Sequence, residues 1–501
     1  MIVSITPDLA LDEGYTYAGG LGVLEGDKFY GAARLGIPYK VLTFLYRGGY
    51  VDYDFDGSGN PIPKPQPQPP EFLERLSREG TMAVRLRGAD VKVEVLSYGL
   101  GSAEAIFFRP IEPEWAAGLA DRVYIWGGEE EKFYTYALLA RASAEYLRRY
   151  APEVDYIDLQ EAYAAMLPLA LKIPGRYRLV VHTAGPWGHP SFPRELFERE
   201  FGYSFIGREI FLTEIGLAAS REAFAVSAKH FDIMSKVLPH FMDKLRYVTN
   251  GVCVERWMDP KLRGDYERGN LHLDHFIEAR ASIRKGFAEF IRRHKDVDIG
   301  DRMVLAWCRR LVPYKRPEFA IRAIEELPRD EAFFVLGGKA HPQDGNGLEY
   351  MRAFRRLHLE RENVVYIPNY DIGAAKAVLK SADLLLFTPS PGWEACGTSY
   401  MKAAINGVPS LASQDGGALE LIVDGVNGWL FGAQAKGPGS PPGGAAGDYD
   451  AFKGRLLEIA SAYRGEVERY YKISLNALTS SIPRVGMDRV LREYYHDLIK
   501  R

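Results

Sequence analysis

A lysine follows a glutamate across a small-residue turn in the segment "EACGTSYMKAAINGVPS", residues 394–410. Gly397, Thr398 and Ser399 open a predicted helix, whose N–H groups and positive dipole end would suit a phosphate. An ordinary helix capped by Ser or Thr explains this turn equally well. Lys402 could act as a nucleophilic amine if burial and cationic neighbours lower its pKa. The segment therefore predicts either a capped helix or a phosphate site with a reactive amine.

A basic loop follows the apolar run "MVLAWCRRL" at 303–311. Arg310 and Lys315, with Arg309 beside them, could neutralise an inorganic dianion, because Arg binds phosphate bidentately and Lys supplies a point charge. For an arbitrary Arg-Arg pair, a solvated loop is the commoner explanation. Ligands of open parallel sheets bind at the carboxyl ends of strands, so this position favours an anion site.

Two further turns lie in the first half of the chain. Residues 19–22 read "GGLG" before a predicted helix, and glycines there let backbone N–H groups come close to an anion. His182 follows the predicted strand "RLVVHTA". An isolated histidine is more often structural, and that explanation is kept for His189 and His230.

The composition restricts the classes of function. The 501 residues carry 63 Lys and Arg against 66 Asp and Glu, a net charge of −3, so broad binding to nucleic acid or to acidic membranes is not indicated. Three separated cysteines without a CxxC pair argue against a disulfide framework and a zinc site. No apolar run approaches the ~20 residues of a membrane span. We predict a cytoplasmic protein, and the bias towards Arg, Glu and Lys is compatible with a thermophilic source.

The order of predicted elements indicates an α/β protein. From about residue 300, the buried-strand patterns "MVLAWCRRL", "AFFVLGG", "NVVYIPN", "DLLLFTPS" and "PSLAS" alternate with helical patterns, and the first half repeats this less regularly. We predict two Rossmann-like, doubly wound lobes facing a central cleft. The expected divisions are 1–272, 273–480 and a crossing-back helix at 481–501. Residues 60–70 and 432–448 are predicted to be irregular connections.

Three blocks resemble one enzyme family. "EACGTSYMKAAINGV" is similar to the cofactor-lysine motif of the α-glucan (glycogen, starch or maltodextrin) phosphorylases, especially their short prokaryotic and archaeal branch. "YAGGLGVLEGDKFYGAARLG" resembles the glycine loop of that family, and "MVLAWCRRLVPYKRPE" resembles its basic motif. The resemblance covers most of the chain in separated blocks and implies the two-lobed GT-B glycosyltransferase fold.

The resemblance also implies roles for individual residues. It implies catalytic roles for Arg310, Lys315, Lys402 and His182. It places pyridoxal 5′-phosphate covalently on Lys402, with cofactor contacts from Gly397, Thr398, Ser399, Arg309, Gly19 and Gly20. It implies that the substrate is bound by Gly20, Leu21, His182, Tyr314, Glu394 and Cys396. No metal is implied.

The implied reaction is reversible phosphorolysis of α-1,4-glucans with retention. Glycogen, starch or maltodextrin would react with inorganic phosphate to give α-glucose 1-phosphate, and the phosphate of the cofactor, instead of its ring, would take part. No nucleic acid or membrane partner is implied, and a homo-oligomer remains open.

Several positions depart from the family pattern. Phe224 stands where we align an asparagine that recognises glucose, Cys396 replaces a serine, and Tyr163 replaces a histidine after the matching Glu161. After the lysine helix, "SLASQDGGALELIVDGVNGWLFG" looks more like nucleotide-sugar glycosyltransferases. The sugar is therefore less certain than the cofactor.

Two rival functions follow. A glycogen-synthase-like transferase of the same fold would carry a second glutamate, which binds the nucleotide ribose, at the position of Lys402. A lysine ammonium has only donors and cannot accept from ribose hydroxyls, which favours the phosphorylase. A noncatalytic carbohydrate-binding protein would have lost Arg310, Lys315 and Lys402 together, but all three are present.

Overall fold

The computed structural model describes residues 1–150, 153–435, 437 and 447–499. The chain forms two compact units: Met1–Tyr50, Pro65–Thr249 and Val490–Arg501 make the first, and Val51–Lys64 with Asn250–Arg489 make the second. Residues 250–272 and 481–489, which the sequence analysis places in the N-terminal lobe and the crossing-back helix, thus pack with the second unit. Most of the predicted connection at 432–448 lies outside the described residues.

The strands are named in chain order. They are β1 (Ile2–Ile5), β2 (Tyr39–Phe44), β3 (Asp52–Phe55), β4 (Pro61–Lys64), β5 (Ser77–Leu86), β6 (Ala89–Leu100), β7 (Ala103–Glu112), β8 (Tyr156–Gln160), β9 (Tyr177–Val180), β10 (Ser191–Pro193), β11 (Glu209–Phe211), β12 (Glu222–Ala225), β13 (Leu245–Tyr247), β14 (Met303–Cys308), β15 (Ala332–Gly337), β16 (Val364–Ile367), β17 (Leu384–Phe387), β18 (Ser410–Ser413) and β19 (Trp429–Phe431).

The α-helices are named in the same way. They are α1 (Gly20–Leu35), α2 (Pro70–Glu74), α3 (Glu114–Gly118), α4 (Glu129–Tyr150), α5 (Leu167–Ala170), α6 (Arg194–Phe201), α7 (Leu212–Ala219), α8 (Ala228–Val237), α9 (Val254–Trp257), α10 (Pro260–Glu267), α11 (Leu273–Arg292), α12 (Pro317–Glu326), α13 (Gly345–Glu360), α14 (Ile372–Ser381), α15 (Ser399–Ala404), α16 (Ala418–Leu421), α17 (Asp448–Gly465), α18 (Val467–Val485) and α19 (Met487–Tyr494). Within the described ranges, no helix is long and apolar enough to cross a membrane.

The sheet of the first unit has the order β13-β12-β9-β8-β1-β2-β7-β6-β5. Strands β13 to β7 in this order are parallel, and β6 runs antiparallel to both β5 and β7. The strand order reverses between β1 and β8, which creates the kind of crevice where doubly wound sheets bind ligands. The β5–β6 hairpin extends the sheet at the opposite edge from β13.

The sheet of the second unit is entirely parallel, in the order β16-β15-β14-β17-β18-β19. Numbered within the unit, this is the 3-2-1-4-5-6 order of Rossmann folds, with its switch point between β14 and β17. All six residues of β14 are buried, as expected for a strand covered on both faces. Both units are therefore Rossmann-like, and the predicted fold class is confirmed.

A buried ion pair ties residues after the second unit back to the first sheet. Arg178 on β9 binds both carboxylate oxygens of Asp158 on β8, at 2.7 and 2.9 Å, and donates to the Tyr494 carbonyl at 2.6 Å. The Tyr495 hydroxyl donates to Asp158 at 2.5 Å. The Arg178 guanidinium also lies 4.1 Å from the ring centre of Tyr156. These contacts fix the segment around Tyr494 against the sheet.

Candidate active site

An ion pair occupies the switch point of the second unit. Arg309 comes directly after β14, and Glu394 lies in the loop after β17. Nη2 of Arg309 is 2.8 Å from Oε2 of Glu394, and both side chains are largely buried. The guanidinium also lies 4.0 Å from the ring centre of Phe387, the last residue of β17. The predicted basic motif and the predicted lysine segment thus meet where this fold binds ligands.

The backbone at Arg309 is fixed by the neighbouring strand. Its N–H donates to the Gly337 carbonyl at 2.9 Å. Gly338 has φ +124°, and a Cβ there would lie 1.8 Å from the Arg309 carbonyl oxygen, so only glycine fits. Among the described residues, Nη1 of Arg309 is buried without a hydrogen-bond partner. A buried donor of this kind suits an anionic ligand.

The turn carrying Lys315 is held by the next residue, Arg316. Residues Pro313–Lys315 form one turn of 3-10 helix, after which Arg316 adopts φ +51°. The fully buried Arg316 donates to the carbonyl oxygens of Thr388 and Pro389 at 2.7 and 2.9 Å and to Asp448 at 2.7 Å. This anchoring fixes the backbone that presents Tyr314 and Lys315.

Lys315 is half-buried among cations. Burial, together with Arg309 and Arg310, lowers the pKa of Lys315 to about 7, although Glu394 opposes the shift. Burial and Glu394 raise the pKa of Tyr314 above its ordinary value, so its hydroxyl stays protonated at neutral pH. The Glu394 carboxylate thus faces the three basic side chains of Arg309, Arg310 and Lys315. The excess positive charge favours binding of an anion.

Asp415, after β18, holds the turn that carries Glu394. One of its carboxylate oxygens accepts the N–H groups of Trp393 and Glu394 at 3.1 and 2.8 Å. Burial raises the pKa of Asp415 to about 6, although backbone N–H groups, among them that of Glu394, oppose the shift. For Glu394, burial opposes ionisation, but Arg309 and Lys315 outweigh it and lower the pKa of the carboxyl. Glu394 is therefore a carboxylate at neutral pH.

Lys402 lies on α15, a helix of six residues. Its Nζ donates to the Thr398 hydroxyl at 3.0 Å and lies 4.2 Å from the ring centre of Trp257. The Asn406 side chain ties this segment to α9 by donating to the carbonyls of Lys402 and Trp257 at 2.9 and 3.0 Å. Thr398 thus contacts the lysine instead of capping the helix with its side chain. The amine is buried beside a hydroxyl and an aromatic face.

The other residues of this turn differ in their surroundings. Cys396 is buried, its Sγ lies 3.7 Å from the Tyr400 hydroxyl, and burial raises the pKa of the thiol to about 12. The Cys396 carbonyl accepts from the Asn250 side chain at 3.0 Å. A Cβ at Gly397 would lie 2.6 Å from the Phe387 ring, so packing accounts for this glycine. Ser399 begins α15.

In the first unit, the glycine turn precedes α1 after the switch strand β1. Gly19 is the residue before the helix, which has no side-chain cap, and among the described residues a Cβ at Gly19 or Gly20 would meet no atom within 4 Å. Gly22 differs, because a Cβ there would lie 2.6 Å from an Asp8 carboxylate oxygen. Leu21 is half-buried. Packing thus explains Gly22 but not Gly19 and Gly20.

His182 follows β9, beside the residues that end β8. Its N–H donates to Glu161 at 2.9 Å, and its Nε2 lies 2.8 Å from Oε1 of Gln160. Glu161 has φ +67°, a strained conformation for a residue with a side chain. Burial raises the pKa of Glu161 to about 7, against the opposing bonds from His182 and Thr183. Burial, Lys28 and His230 lower the pKa of His182, so its ring is neutral.

Three other residues singled out in the sequence have structural partners. His189 contacts the Thr213 hydroxyl at 2.8 Å and the Thr183 carbonyl at 3.1 Å, and the buried His230 accepts the Val226 N–H at 3.2 Å. Phe224 lies within β12, with its ring 5.0 Å from that of Tyr494. It is a core residue of the first unit.

Comparisons with known proteins indicate the class of enzyme to which the chain is similar. Residues 289–436 match the family described as Glycosyl transferases group 1. The chain is a glycosyltransferase. A maltodextrin phosphorylase of Thermococcus litoralis is 24% identical to this glycosyltransferase. The alignment covers 95% of this chain and 68% of the length of the maltodextrin phosphorylase. A glycogen phosphorylase of Aquifex aeolicus is 22% identical over 98% of this chain and 85% of the length of the relative. The predicted resemblance to the α-glucan phosphorylases is confirmed.

A glycogen synthase of Thermus thermophilus is also similar to this glycosyltransferase, at 26% identity over 62% of the chain and 68% of its own length. The alternative function, a glycogen-synthase-like transferase, is therefore also represented among the proteins to which this chain is similar.

Sequence reasoning missed several residues around both switch points. Gln160 contacts both Lys28 and His182 in the first unit, and Asp415 fixes Glu394 in the second. Lys28 could have been found, because it falls on the buried face of α1 among other charged residues. Nothing local to Asp415 indicates that it accepts N–H groups from a different loop.

Proposed function

We propose that this glycosyltransferase catalyses reversible phosphorolysis of α-1,4-glucans to α-glucose 1-phosphate, with retention and with pyridoxal 5′-phosphate as cofactor. The observation that carries the proposal is Lys402, a buried amine beside Thr398 and Trp257 at the position where a nucleotide-sugar transferase would need a carboxylate. The named relatives that cover almost all of this chain are phosphorylases.

The basic loop supplies the binding site for the inorganic phosphate. Arg310 and Lys315 would bind the phosphate, and Tyr314 beside them would contact the sugar. In the reaction, the glycosidic C–O bond breaks, its oxygen leaves as a hydroxyl of the shortened glucan with a proton from phosphate, and a phosphate oxygen bonds to the anomeric carbon. Positioning and anion contacts would supply most of the stabilisation, so no pair of catalytic carboxylates is needed.

The sugar is the proposed ligand of His182 and Glu394. Both offer acceptor atoms, which match the donor capacity of sugar hydroxyls. Gly20 and Leu21 are proposed to add backbone contacts to the sugar, and Cys396 is proposed as a further sugar-binding residue. Cys396 and Phe224 depart from the family pattern, and activity assays with glucans of other sugars would test the glucosyl specificity directly.

The residues present fit pyridoxal 5′-phosphate. Lys402 offers a buried primary amine for its aldehyde, and the unpartnered Nη1 of Arg309 offers a donor for its phosphate. Gly397, Thr398, Ser399, Gly19 and Gly20 would provide further contacts. When bound, the cofactor would supply a phosphate group that exchanges a proton with the substrate phosphate.

Borohydride reduction of the purified protein, followed by peptide mass spectrometry, tests this assignment. We expect a pyridoxyl adduct on Lys402, and Lys402→Ala should lose both the adduct and phosphorolysis. Lys376 is the matched control, since its Nζ lies 6.0 Å from the same Trp257 ring. Lys376→Ala should keep the adduct and the activity. Full phosphorolysis by Lys402→Ala would refute the cofactor role.

The alternative is a nucleotide-sugar-dependent retaining glucosyltransferase without this cofactor. The glycogen synthase relative and the Gly416–Gly417 loop after β18 favour it. Turnover of UDP- or ADP-glucose by a protein whose Lys402 stays unmodified after borohydride would establish the alternative.

A further inference from the structure

A buried polar chain lies behind His182 in the first unit. The Gln160 side chain, at the end of β8, contacts His182 Nε2 at 2.8 Å through Oε1 and donates through Nε2 to the Ser4 hydroxyl at 3.0 Å. Lys28 Nζ on α1 donates to the same Oε1 at 3.4 Å. Gln160 and Lys28 are both almost completely buried.

Lys28 settles which end of the Gln160 amide faces the histidine. A lysine ammonium has only donors, so the atom that it contacts must be the amide oxygen. That oxygen accepts hydrogen bonds and cannot donate one, so the histidine nitrogen beside it must carry a proton. The contact therefore requires Nε2–H on His182.

Lys28 is itself fixed from the opposite side. Its Nζ lies 3.5 Å from Oε2 of Glu25 and 5.0 Å from the ring centre of Tyr494. Glu25 in turn accepts from the Tyr39 hydroxyl at 2.6 Å. Lys28 thus has little freedom to leave Gln160.

The second ring nitrogen of His182 has a different environment. Among the described residues, Nδ1 is buried and has no hydrogen-bond partner. The charged and titratable groups around the ring are Lys28 on α1, Glu161 after β8 and His230 on α8. Burial, together with Lys28 and His230, lowers the pKa of His182, so the ring stays neutral and Nδ1 keeps its lone pair.

We propose that Gln160 and Lys28 are positioning residues that lock His182 as the neutral Nε2–H tautomer, so that Nδ1 is held as an acceptor for a ligand hydroxyl. This inference deepens the proposed function, because it makes the sugar ligand a hydrogen-bond donor at this atom. A carboxylate or another group without a hydrogen-bond donor, which could only accept, would be excluded from Nδ1.

The tautomer can be measured without any substrate. In protein labelled with ¹⁵N-histidine, the His182 signals are assigned by their absence in His182→Asn. We expect an unprotonated Nδ1 and a protonated Nε2 from pH 6 to 8. A protonated Nδ1, or an imidazolium at pH 7, would overturn the proposal even if the protein proves to be a phosphorylase.

Two substitutions separate a locking role from a merely structural one. Gln160→Leu should give a mixture of the two His182 tautomers and raise KM for maltodextrin about tenfold with a smaller change in kcat, as expected for one weakened hydrogen bond. Gln160→Glu keeps an acceptor, so it should keep the Nε2–H tautomer and raise the pKa of His182 through its negative charge. An unchanged Nε2–H signal in Gln160→Leu would show that Gln160 does not set the tautomer.

The control histidine is His189, which contacts Thr213 and the Thr183 carbonyl instead of Gln160. Its ¹⁵N signals should not change in either Gln160 variant. If the protein lacks phosphorolysis but His182 shows the expected tautomer, the proposed function is wrong. The proposal that Gln160 and Lys28 fix the tautomer of His182 is then still supported.

Discussion

Arg309 and Glu394 face each other across the switch point of the second unit, 2.8 Å apart between Nη2 and Oε2. They come from different strand ends, and the charge of each makes the burial of the other tolerable. Since Arg309 keeps a second nitrogen without a partner among the described residues, the pair leaves a donor for a ligand.

Replacing the carboxylate should destabilise the second unit. Glu394→Gln leaves Arg309 buried without its counter-charge, and we expect a loss of about 3 kcal/mol in the free energy of unfolding. Denaturant titration measures it. Glu468→Gln on an exposed face of α18 removes an ion pair with Lys472 and should leave the midpoint unchanged. Equal midpoints for wild type and Glu394→Gln would show that the pair is not structurally important.

Phosphate use should fall as pH rises through about 7. Lys315 carries its charge only below its pKa, which its surroundings lower to about 7. We therefore expect kcat/KM for phosphate to decline above pH 7 in the wild type. Lys315→Arg keeps its charge at these pH values and should lose much of the decline. The ionisation of phosphate itself affects both proteins equally, so identical profiles would contradict the role of Lys315.

Glu161 should make the first unit less stable at higher pH. Its pKa is raised to about 7, so the folded state holds a proton that the unfolded state releases from about pH 4 upwards. The stabilisation is complete below that pH and is lost as pH rises through 7. Glu161→Gln cannot ionise, so its Tm relative to wild type should increase between pH 5 and pH 8. A constant difference across this range would disprove the shift.

The Arg178–Asp158 pair should be essential to the first unit. Asp158→Asn leaves a buried guanidinium without its counter-charge, and we expect a loss of about 3–5 kcal/mol in the free energy of unfolding. Limited proteolysis should then cleave near Tyr494. Arg221 is a matched control, since its guanidinium lies 5.0 Å from the same Tyr156 ring that Arg178 contacts but is largely exposed. Arg221→Ala should remain as resistant as the wild type.

The strands that position both sites were predictable from local patterns. Short, apolar runs such as that ending at Cys308 appear where they were expected, because burial on both faces of a parallel sheet demands them. The segment "AYAAMLPLALKI", at residues 162–173, has the apolar pattern of a helix but forms only a 3-10 turn, Ala162–Ala164, followed by the short α5. Pro168 in the first turn of α5 lacks the N–H that a continuous helix needs.

The partners of charged side chains were not predictable. The pairing of Arg309 with Glu394, the contact of Lys402 with Trp257 and the link from Lys28 to His182 join residues far apart in the chain. No periodicity or spacing encodes such pairs, since they depend on which strand ends the topology brings together. The β5–β6 hairpin was also missed, although its residues alternate in burial.

The contacts around Tyr494 have a consequence for how the polypeptide is made. The Arg178 side chain and Asp158 are synthesised long before Tyr494 and Tyr495, and the segment Asn250–Arg489, which forms most of the second unit, is translated in between. A nascent chain that has reached residue 489 therefore exposes a charged pair that lacks its covering segment. Domains usually fold in the order of their synthesis, but here the unit begun first is completed last.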